Sequence, residues 1–299
     1  MIGFFRDMVA EARRRGPKEL VCVTDGRGDL LDTLSEAASL GLVSPVLISP
    51  RQTAQPEKLS AGAGEWIPCT SEAEALEAAL ARVKKEKTAV LMQGSADQKT
   101  FVDTLLDPKR GLLIRKRASY VSLFESRNKN KLFMITDSYI NNFPTLREKQ
   151  HIIENCLDVA RALGIEEPRI AALAAIEQVN PNIPSTMDSA VLSKMSERGQ
   201  FGRAIIDGPI DIDCALTGDA AARKGLKSPV TGRVDIYLVP DIESGYSLVQ
   251  LLTFIGKMET IGVLAGTTVP VILDTPQVMR KNRIPEIALA VLLCGEKDD

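Results

Sequence analysis

The chain has 299 residues, 44% hydrophobic and 25% charged, and its 37 basic and 39 acidic side chains leave a formal net charge of -2. A chain of this size and composition can bury the core of one large or two smaller α/β bodies. Nothing in the charge balance offers a basic face to nucleic acid or an anionic membrane, and no apolar run approaches the ~20 residues of a spanning helix.

In chain order, residues 2–15 place Ile2, Phe5, Met8, Val9 and Ala12 at helical spacing between charges, which predicts a surface helix rather than a signal sequence. Apolar runs predict strands at 20–25, 44–49, 88–93, 119–124, 131–137, 169–176, 203–207, 234–239, 261–266 and 270–274. Helical spacing predicts helices at 29–40, 71–85, 97–106, 145–164, 186–199, 213–223, 244–258 and 283–294. Short strands alternating with longer helices are the pattern of βα units and a largely parallel sheet. Residues 50–70, rich in Pro, Gly, Ser and Ala, read as a long exposed connection anchored by Trp66. The turn Asp25-Gly26-Arg27-Gly28 lacks both the third glycine of a dinucleotide loop and the Lys-Ser/Thr of a P-loop, so it reads as a plain strand-to-helix turn. Pro144-Thr145 with Glu148 predicts a capping box opening a scaffold helix, with Leu146, Ile153, Cys156, Leu157, Ala160 and Leu163 on one face and Gly164 at its end.

Five cysteines (Cys22, Cys69, Cys156, Cys214 and Cys294) lie at spacings that suit neither a metal nor a disulfide framework, so they read as core thiols of a cytoplasmic protein. His151, the single histidine, sits in the amphipathic run after Thr145, which argues against a His-based triad or metal site. The densest chemistry lies at 177–213: a Pro-turn with Ser185 and Thr186 opens a helix that stops at Gly199, and the strand after it is predicted to end in an Asp207-Gly208-Pro209 turn. Turns at the carboxyl ends of strands are where open α/β sheets place ligands.

That segment, with TDSYINNFPTLREK at 136–149, KGLKSPVTGRVDIYLVPDIESG at 224–245 and GVLAGTTVPVIL at 262–273, resembles the phosphate acetyl/butyryltransferase family, most closely its butyryl branch. The resemblance implies two α/β lobes of the isopropylmalate-dehydrogenase-like kind, with mostly parallel sheets and flanking helices. It places residues 1–137 plus 267–299 in a discontinuous first lobe, 138–266 in the second, and an active-site cleft between them, commonly in a homodimer. It implies the reaction acyl-CoA plus phosphate to acyl phosphate plus CoA, with CoA as a substrate, no tightly bound cofactor and no metal. Such chemistry needs a carboxylate to deprotonate the thiol, cations and backbone amides for the phosphoryl group, and donors for the oxyanion.

Family positions retained on the pocket side are Asp137, Asn141, Ser185, Thr186, Asp207, Gly208, Pro209, Asp213, Glu243, Gly245 and Gly266. Each also has a structural reading: turn geometry for Gly and Pro, helix capping for Ser185 and Thr186, amide capping or pairing with a lysine for Asp207 and Asp213. The family's Thr-Ser-Arg-x-Asp-Ser run reads Asp274, Thr275, Pro276, Gln277, Val278, Met279, so Thr275 and Asp274 are the catalytic candidates while Pro276 and Val278 remove an arginine and a carboxylate. Gln93 stands for a lysine before Gly94, Leu113 for an arginine after Gly111-Leu112, Tyr120 for a histidine after Ser119, and Tyr246 for an asparagine. Basic residues at Lys99, Arg115, Arg117, Arg280, Lys281 and Arg283 are the available substitutes. Three functions therefore stay open: a phosphate acyltransferase with a rearranged site, a non-catalytic paralogue serving as subunit or regulatory scaffold of an acyl-CoA enzyme, and a protein taking a different small acid or acyl ligand in a pocket lined by Tyr120, Tyr139, Tyr246 and Asp274.

Overall fold

The computed structural model describes residues 2–26, 28–52, 56, 64–110, 112–126 and 130–295. Its strands are β1 (Lys18–Val23), β2 (Val43–Ser49), β3 (Glu65–Pro68), β4 (Val90–Met92), β5 (Ser119–Ser126), β6 (Lys131–Thr136), β7 (Arg169–Leu173), β8 (Ile205–Ile210), β9 (Ile236–Leu238), β10 (Thr260–Ala265) and β11 (Val271–Ile272). Its helices are α1 (Phe5–Arg14), α2 (Leu30–Ser39), α3 (Glu72–Lys85), α4 (Gln98–Leu106), α5 (Leu146–Ala162), α6 (Pro184–Glu197), α7 (Ile212–Leu216), α8 (Gly218–Arg223), α9 (Ile242–Gln250) and α10 (Arg283–Leu293). The elements pack as two units, one of residues 4–117 with 261–299, the other of 1–3 with 118–260.

In the first unit β3, β2, β1, β4 and β11 follow one another in parallel register, and β10 closes against β11 in the antiparallel sense. β1 is buried over its last four residues and β4 throughout, the near-continuous apolar pattern of parallel strands covered on both faces. Gly94 shows how tightly the strand ends are joined. Its φ is +62°, and a Cβ there would lie 2.3 Å from the carbonyl oxygen of Val23 and 2.7 Å from Cys22 Sγ. Gly94→Ala is therefore expected to destabilise the chain by about 3 kcal/mol or more, read from the shift in its urea midpoint.

In the second unit the order is β5, β6, β9, β7, β8, parallel except for the β5–β6 hairpin. Its core joins Phe124, Ile135, Ala171, Tyr237 and Val249, with Phe133 stacked on Phe124 at 5.1 Å and edge-on to Tyr237 at 5.7 Å. Helix α5 begins as its sequence requires, with the Thr145–Glu148 capping box formed in both directions and Gly164 at φ +76°. Helix α6 takes Pro184 in its first turn, where a missing N–H costs nothing, and ends before Gly199 at φ +72°.

Several expectations need correction. Asp207-Gly208-Pro209 does not end its strand but lies inside β8. Two features accommodate it. A Cβ on Gly208 would sit 2.6 Å from Ala172 O, and β8 is the last strand of its order, with a register irregularity opposite Ala171 and Leu173 that tolerates a proline. Within 50–70, part of which lies outside the described residues, Glu65–Pro68 is a strand, with Trp66 opposite Leu47. The helix predicted over 213–223 breaks at extended Thr217, whose hydroxyl accepts from Ala220 N to start α8. The helix over 244–258 becomes a π turn at Leu251–Ile255. The units divide at 117/118 and 260/261, whereas the sequence reading placed the divisions at 137 and 266. The hairpin explains the first shift: β5 pairs with β6 over five residue pairs, and β6 in turn joins β9. Among the described residues no helix is long and apolar enough to cross a membrane.

Candidate functional site

Because β1, β4 and β11 run parallel, their carboxyl ends and the turns that follow them fall on one edge of the first unit. Gln93 ties two of those turns together. It is buried, its Nε2 donates to Ala96 O at 3.0 Å, and its Oε1 accepts from Asp274 N at 2.9 Å. A glutamine supplies both a donor and an acceptor, so Gln93 ties the start of the 274–279 loop to the turn after β4. A pocket of about 370 Å³ opens at this edge, lined by Thr24, Ser95, Asp274, Val278, Arg280, Arg283 and the first turn of α2. Thr24 Oγ1 accepts from Gly26 N at 3.2 Å and Ser95 Oγ from Asp25 N at 2.9 Å, which orients both hydroxyls.

Two of the basic residues singled out in the sequence meet here. Arg283, only 13% exposed, spends Nη1 on Glu286 Oε2 at 2.7 Å and Leu273 O at 3.4 Å, and Nη2 on Asp274 Oδ1. Asp274 is 63% exposed, whereas Glu286 is fully buried and also accepts from Gly262 N at 3.4 Å. Arg280 pairs with Asp29 at 2.5 Å and lies 3.7 Å from Asp32. Lys99, by contrast, is an exposed partner of Asp103.

Burial pushes the Glu286 carboxyl up to about 7, against the pull of Arg283. Between the ordinary 4.5 and about 7 the folded chain keeps a proton that the unfolded chain releases. The resulting stabilisation is full below about 4.5 and is lost as pH rises through about 7, a change of about 3 kcal/mol from this residue. Glu286→Gln is expected to flatten that slope, so urea unfolding at pH 5 and pH 8 should differ by about 3 kcal/mol less in the variant than in the parent.

The loop itself carries the remaining first-unit candidates. Thr275 is buried with its carbonyl accepting from Val278 N at 3.2 Å; Val278 is buried and Pro276 exposed. Gln277 is buried, and among the described residues neither of its side-chain amide atoms has a hydrogen-bond partner. Gly266 adopts φ +88° and its carbonyl accepts from Ile114 N, while half-buried Leu113 bridges Thr267. Gly111, which precedes that segment, and Arg27 lie outside the described residues.

In the second unit three of the retained residues, Asp137, Asn141 and Gly245, meet at the carboxyl end of β6. Asp137 is 3% exposed and its carboxylate accepts from the N–H groups of Tyr120, Tyr139, Ile140 and Asn141 at 3.0–3.1 Å, and from Asn141 Nδ2. Burial raises its pKa and those hydrogen bonds oppose the rise. Buried Asn141 also donates to Ala118 O at 2.9 Å, and its Oδ1 has no partner among the described residues. Gly245 lets α9 close on this turn, since a Cβ would sit 2.8 Å from Asp137 O and Val239 Cγ2. Tyr120, Tyr139 and Tyr246 then stand in sequence, with ring centroids 5.5 and 6.0 Å apart, from fully buried Tyr120 to exposed Tyr246. Glu243 is exposed in the first turn of α9.

The 177–213 residues serve the backbone more than the sequence suggested. Thr186 is buried and ties the preceding turn, accepting from Asn180 N at 2.8 Å and donating to Ile183 O; neither it nor Ser185 caps α6. Ser185 is half-exposed and its carbonyl accepts from Ser189 Oγ. Asp207 accepts from Gly208 N at 2.9 Å and Ser193 Oγ at 3.0 Å. Among the described residues the group with metal-donor spacing is Glu177, Asp211, Asp213 and Cys214. Lys224 already places its ammonium against all three of those carboxylates. All five cysteines are free and buried, and burial raises each thiol pKa. His151 is half-buried, with Nδ1 3.4 Å from Glu154 Oε2.

Mostly parallel sheets with flanking helices, and an arginine-bearing pocket at the strand carboxyl ends, define an α/β protein of the kind that places small ligands at that edge. Residues 70–291 match the family described as phosphate acetyl/butaryl transferase. The chain is 33% identical to a phosphate butyryltransferase of Clostridium acetobutylicum over 99% of its own length and 100% of that protein's. It is 32% identical to a phosphate acetyltransferase of Rhizobium meliloti over 97% and 93%, and 33% identical to one of Thermotoga maritima over 97% and 99%. It therefore belongs to the phosphate acetyl/butyryltransferase family. The fold matches a branched-chain phosphotransacylase from Enterococcus faecalis with a TM-score of 0.81 and 24% identity over 93% of this chain and 99% of that one. A phosphotransacetylase from Streptococcus pyogenes matches with a TM-score of 0.77 and 17% identity over 96% and 98%.

Arg283 and its buried partner were the least visible of these features. A basic run at 280–283 was apparent, but nothing in the spacing distinguished the inward-facing residue, and Thr24 and Ser95 drew no attention beside the glycines that follow or precede them.

Proposed function

We propose that the chain interconverts acyl-CoA plus phosphate and acyl phosphate plus CoA in a site rearranged around Arg280 and Arg283. The observation that carries this reading is the pocket at the carboxyl ends of β1, β4 and β11, where two arginines and two hydroxyls converge beside the loop that replaces the family's Ser-Arg motif. In the direction of acyl phosphate synthesis, a phosphate oxygen attacks the thioester carbonyl carbon, the C–O bond forms, the C–S bond breaks and CoA leaves as thiolate. In reverse the CoA thiol yields its proton and the thiolate attacks the acyl phosphate carbonyl. Arg283, with Arg280 beside it, holds the phosphoryl oxygens in place of the arginine lost at Pro276; Thr24 and Ser95 hydroxyls add donors. Asp274, with Thr275 next to it, accepts the thiol proton in this reading once an incoming phosphoryl group has released its carboxylate from Arg283. CoA is a substrate here, and no tightly bound cofactor or metal is required. A cytoplasmic homodimer belongs to the same reading, supported by the five buried free thiols and by exposed Leu251, Phe254 and Ile255.

A second reading has its own observation. Both pocket arginines are already neutralised by carboxylates of the chain, Arg283 by Asp274 and Glu286 and Arg280 by Asp29. That favours a non-catalytic paralogue, a subunit or regulatory scaffold of an acyl-CoA enzyme. CoA release from acetyl-, propionyl- and butyryl-CoA, followed with a thiol reagent while phosphate is varied, separates the two. Saturable, phosphate-dependent release supports the transferase; its absence at every acyl length, with the chain folded, supports the paralogue.

A further inference from the structure

We infer that Asp274 is a built-in competitor for the phosphoryl site: its carboxylate occupies the place on Arg283 that an incoming phosphoryl oxyanion takes, and binding requires its displacement. The inference rests on the pocket reading given above and deepens it.

The geometry separates the two carboxylates that share this guanidinium. Glu286 lies three residues ahead of Arg283 in α10, is fully buried, and holds Nη1 from within the protein. It cannot leave without carrying a carboxyl group out of the core, and Leu273 O reinforces the same nitrogen. Asp274 holds the other corner, Nη2, from a loop where 63% of its side chain faces solvent. The contacts at Nη1 are therefore fixed and the one to Asp274 is exchangeable, and both Asp274 and Arg283 line the pocket. A guanidinium held at Nη1 that exchanges Asp274 at Nη2 for an oxyanion does so without reorienting, because Glu286 has already set its plane.

Asp274 itself is restrained on the backbone side. Its N–H is taken by Gln93 Oε1 at 2.9 Å, so the loop stays in place when the carboxylate swings out. The competing carboxylate lines the same pocket as Arg280 and Arg283. Its consequence is a pocket that discriminates by charge: a monoanionic carboxylic acid gains little by replacing another carboxylate, whereas a phosphoryl group brings more charge and three acceptor oxygens for Arg283, Arg280 and the Thr24 and Ser95 hydroxyls. The ligand chemistry is thus a phosphoryl oxyanion, supplied either by inorganic phosphate or by CoA.

Isothermal titration of the full chain with inorganic phosphate, CoA and acetate, for the parent, Asp274→Asn and Asp274→Thr, tests this. Both substitutions should tighten phosphate binding by about tenfold, with acetate binding improved at least as much because its handicap against Asp274 is gone. Tightening for phosphate identifies the inorganic ion as the competitor's rival; tightening for CoA alone identifies the cofactor-sized substrate's own phosphates. Unchanged or weaker binding of both in both variants overturns the inference. The acyl-transfer reading fails separately: a gain in phosphate affinity with no CoA release from the parent leaves the competitor standing and removes the transferase, while parent turnover with no gain does the reverse. If neither phosphate nor CoA binds the parent or either variant, both fall.

Discussion

Asp137→Ala is expected to destabilise the second unit by at least about 4 kcal/mol. One carboxylate satisfies four backbone N–H groups and the Asn141 amide. Truncation orphans these donors in a site only 3% exposed, at about 1–3 kcal/mol each where water cannot replace the lost oxygen. Asp137→Asn should be nearly as damaging, since an amide group turns a donor toward donors. Urea denaturation measures both, and the m-value should hold while the midpoint falls. A loss below about 1 kcal/mol, with acyl transfer abolished, would mean that Asp137 serves a ligand and not the turn.

Arg283→Gln is expected to lower phosphate-dependent kcat/KM by at least about 100-fold, the scale of losing a charge-assisted clamp on a transferring phosphoryl group. The same substitution leaves Glu286 buried without its cation. Because that carboxyl already titrates near 7, it takes up a proton instead of remaining charged, and the cost to the fold should shrink on going from pH 8 to pH 6. Arg283→Lys keeps the charge but not the fork that serves Asp274 and Glu286 at separate nitrogens, so it should recover stability better than turnover. Turnover within about threefold of the parent in folded Arg283→Gln would remove this residue from the proposed site.

The α/β alternation was readable because most of these strands are short apolar runs and most of the helices carry an apolar face. The capping box at Thr145 and the Pro184 start of α6 were readable because both are local rules written in consecutive residues. β3 was not, since its four residues adjoin a stretch rich in Gly, Ala and Pro, and its pairing with β2 is a tertiary fact. Asp207-Gly208-Pro209 misled for a related reason. Its residue types suit a turn, and only the close approach to Ala172 and the position at the end of the strand order make it a strand.

The site divides along the same line. Asp274 and Thr275 could be singled out by residue type from their loop, and Arg280 and Arg283 from the basic run that leads into α10. That Asp274 and Glu286 share one guanidinium, and that Asp137 spends its acceptor capacity on the backbone, depends on how the chain closes on itself and leaves no periodic trace. Gln93 is the most instructive case. As a change from lysine it suggested a lost cation, yet its two hydrogen bonds show a replacement that ties the pocket loop to the end of β4.

The central claim, that the phosphoryl group is held by the arginines at the carboxyl ends of β1, β4 and β11, is tested most directly by a crystal structure of the chain grown with phosphate and CoA. The account predicts phosphoryl density within hydrogen-bond distance of Arg283 Nη2, near Arg280 and the Thr24 and Ser95 hydroxyls, with the Asp274 carboxylate turned away. Phosphate and CoA bound elsewhere on the chain, with the Asp274–Arg283 pair intact, would contradict it.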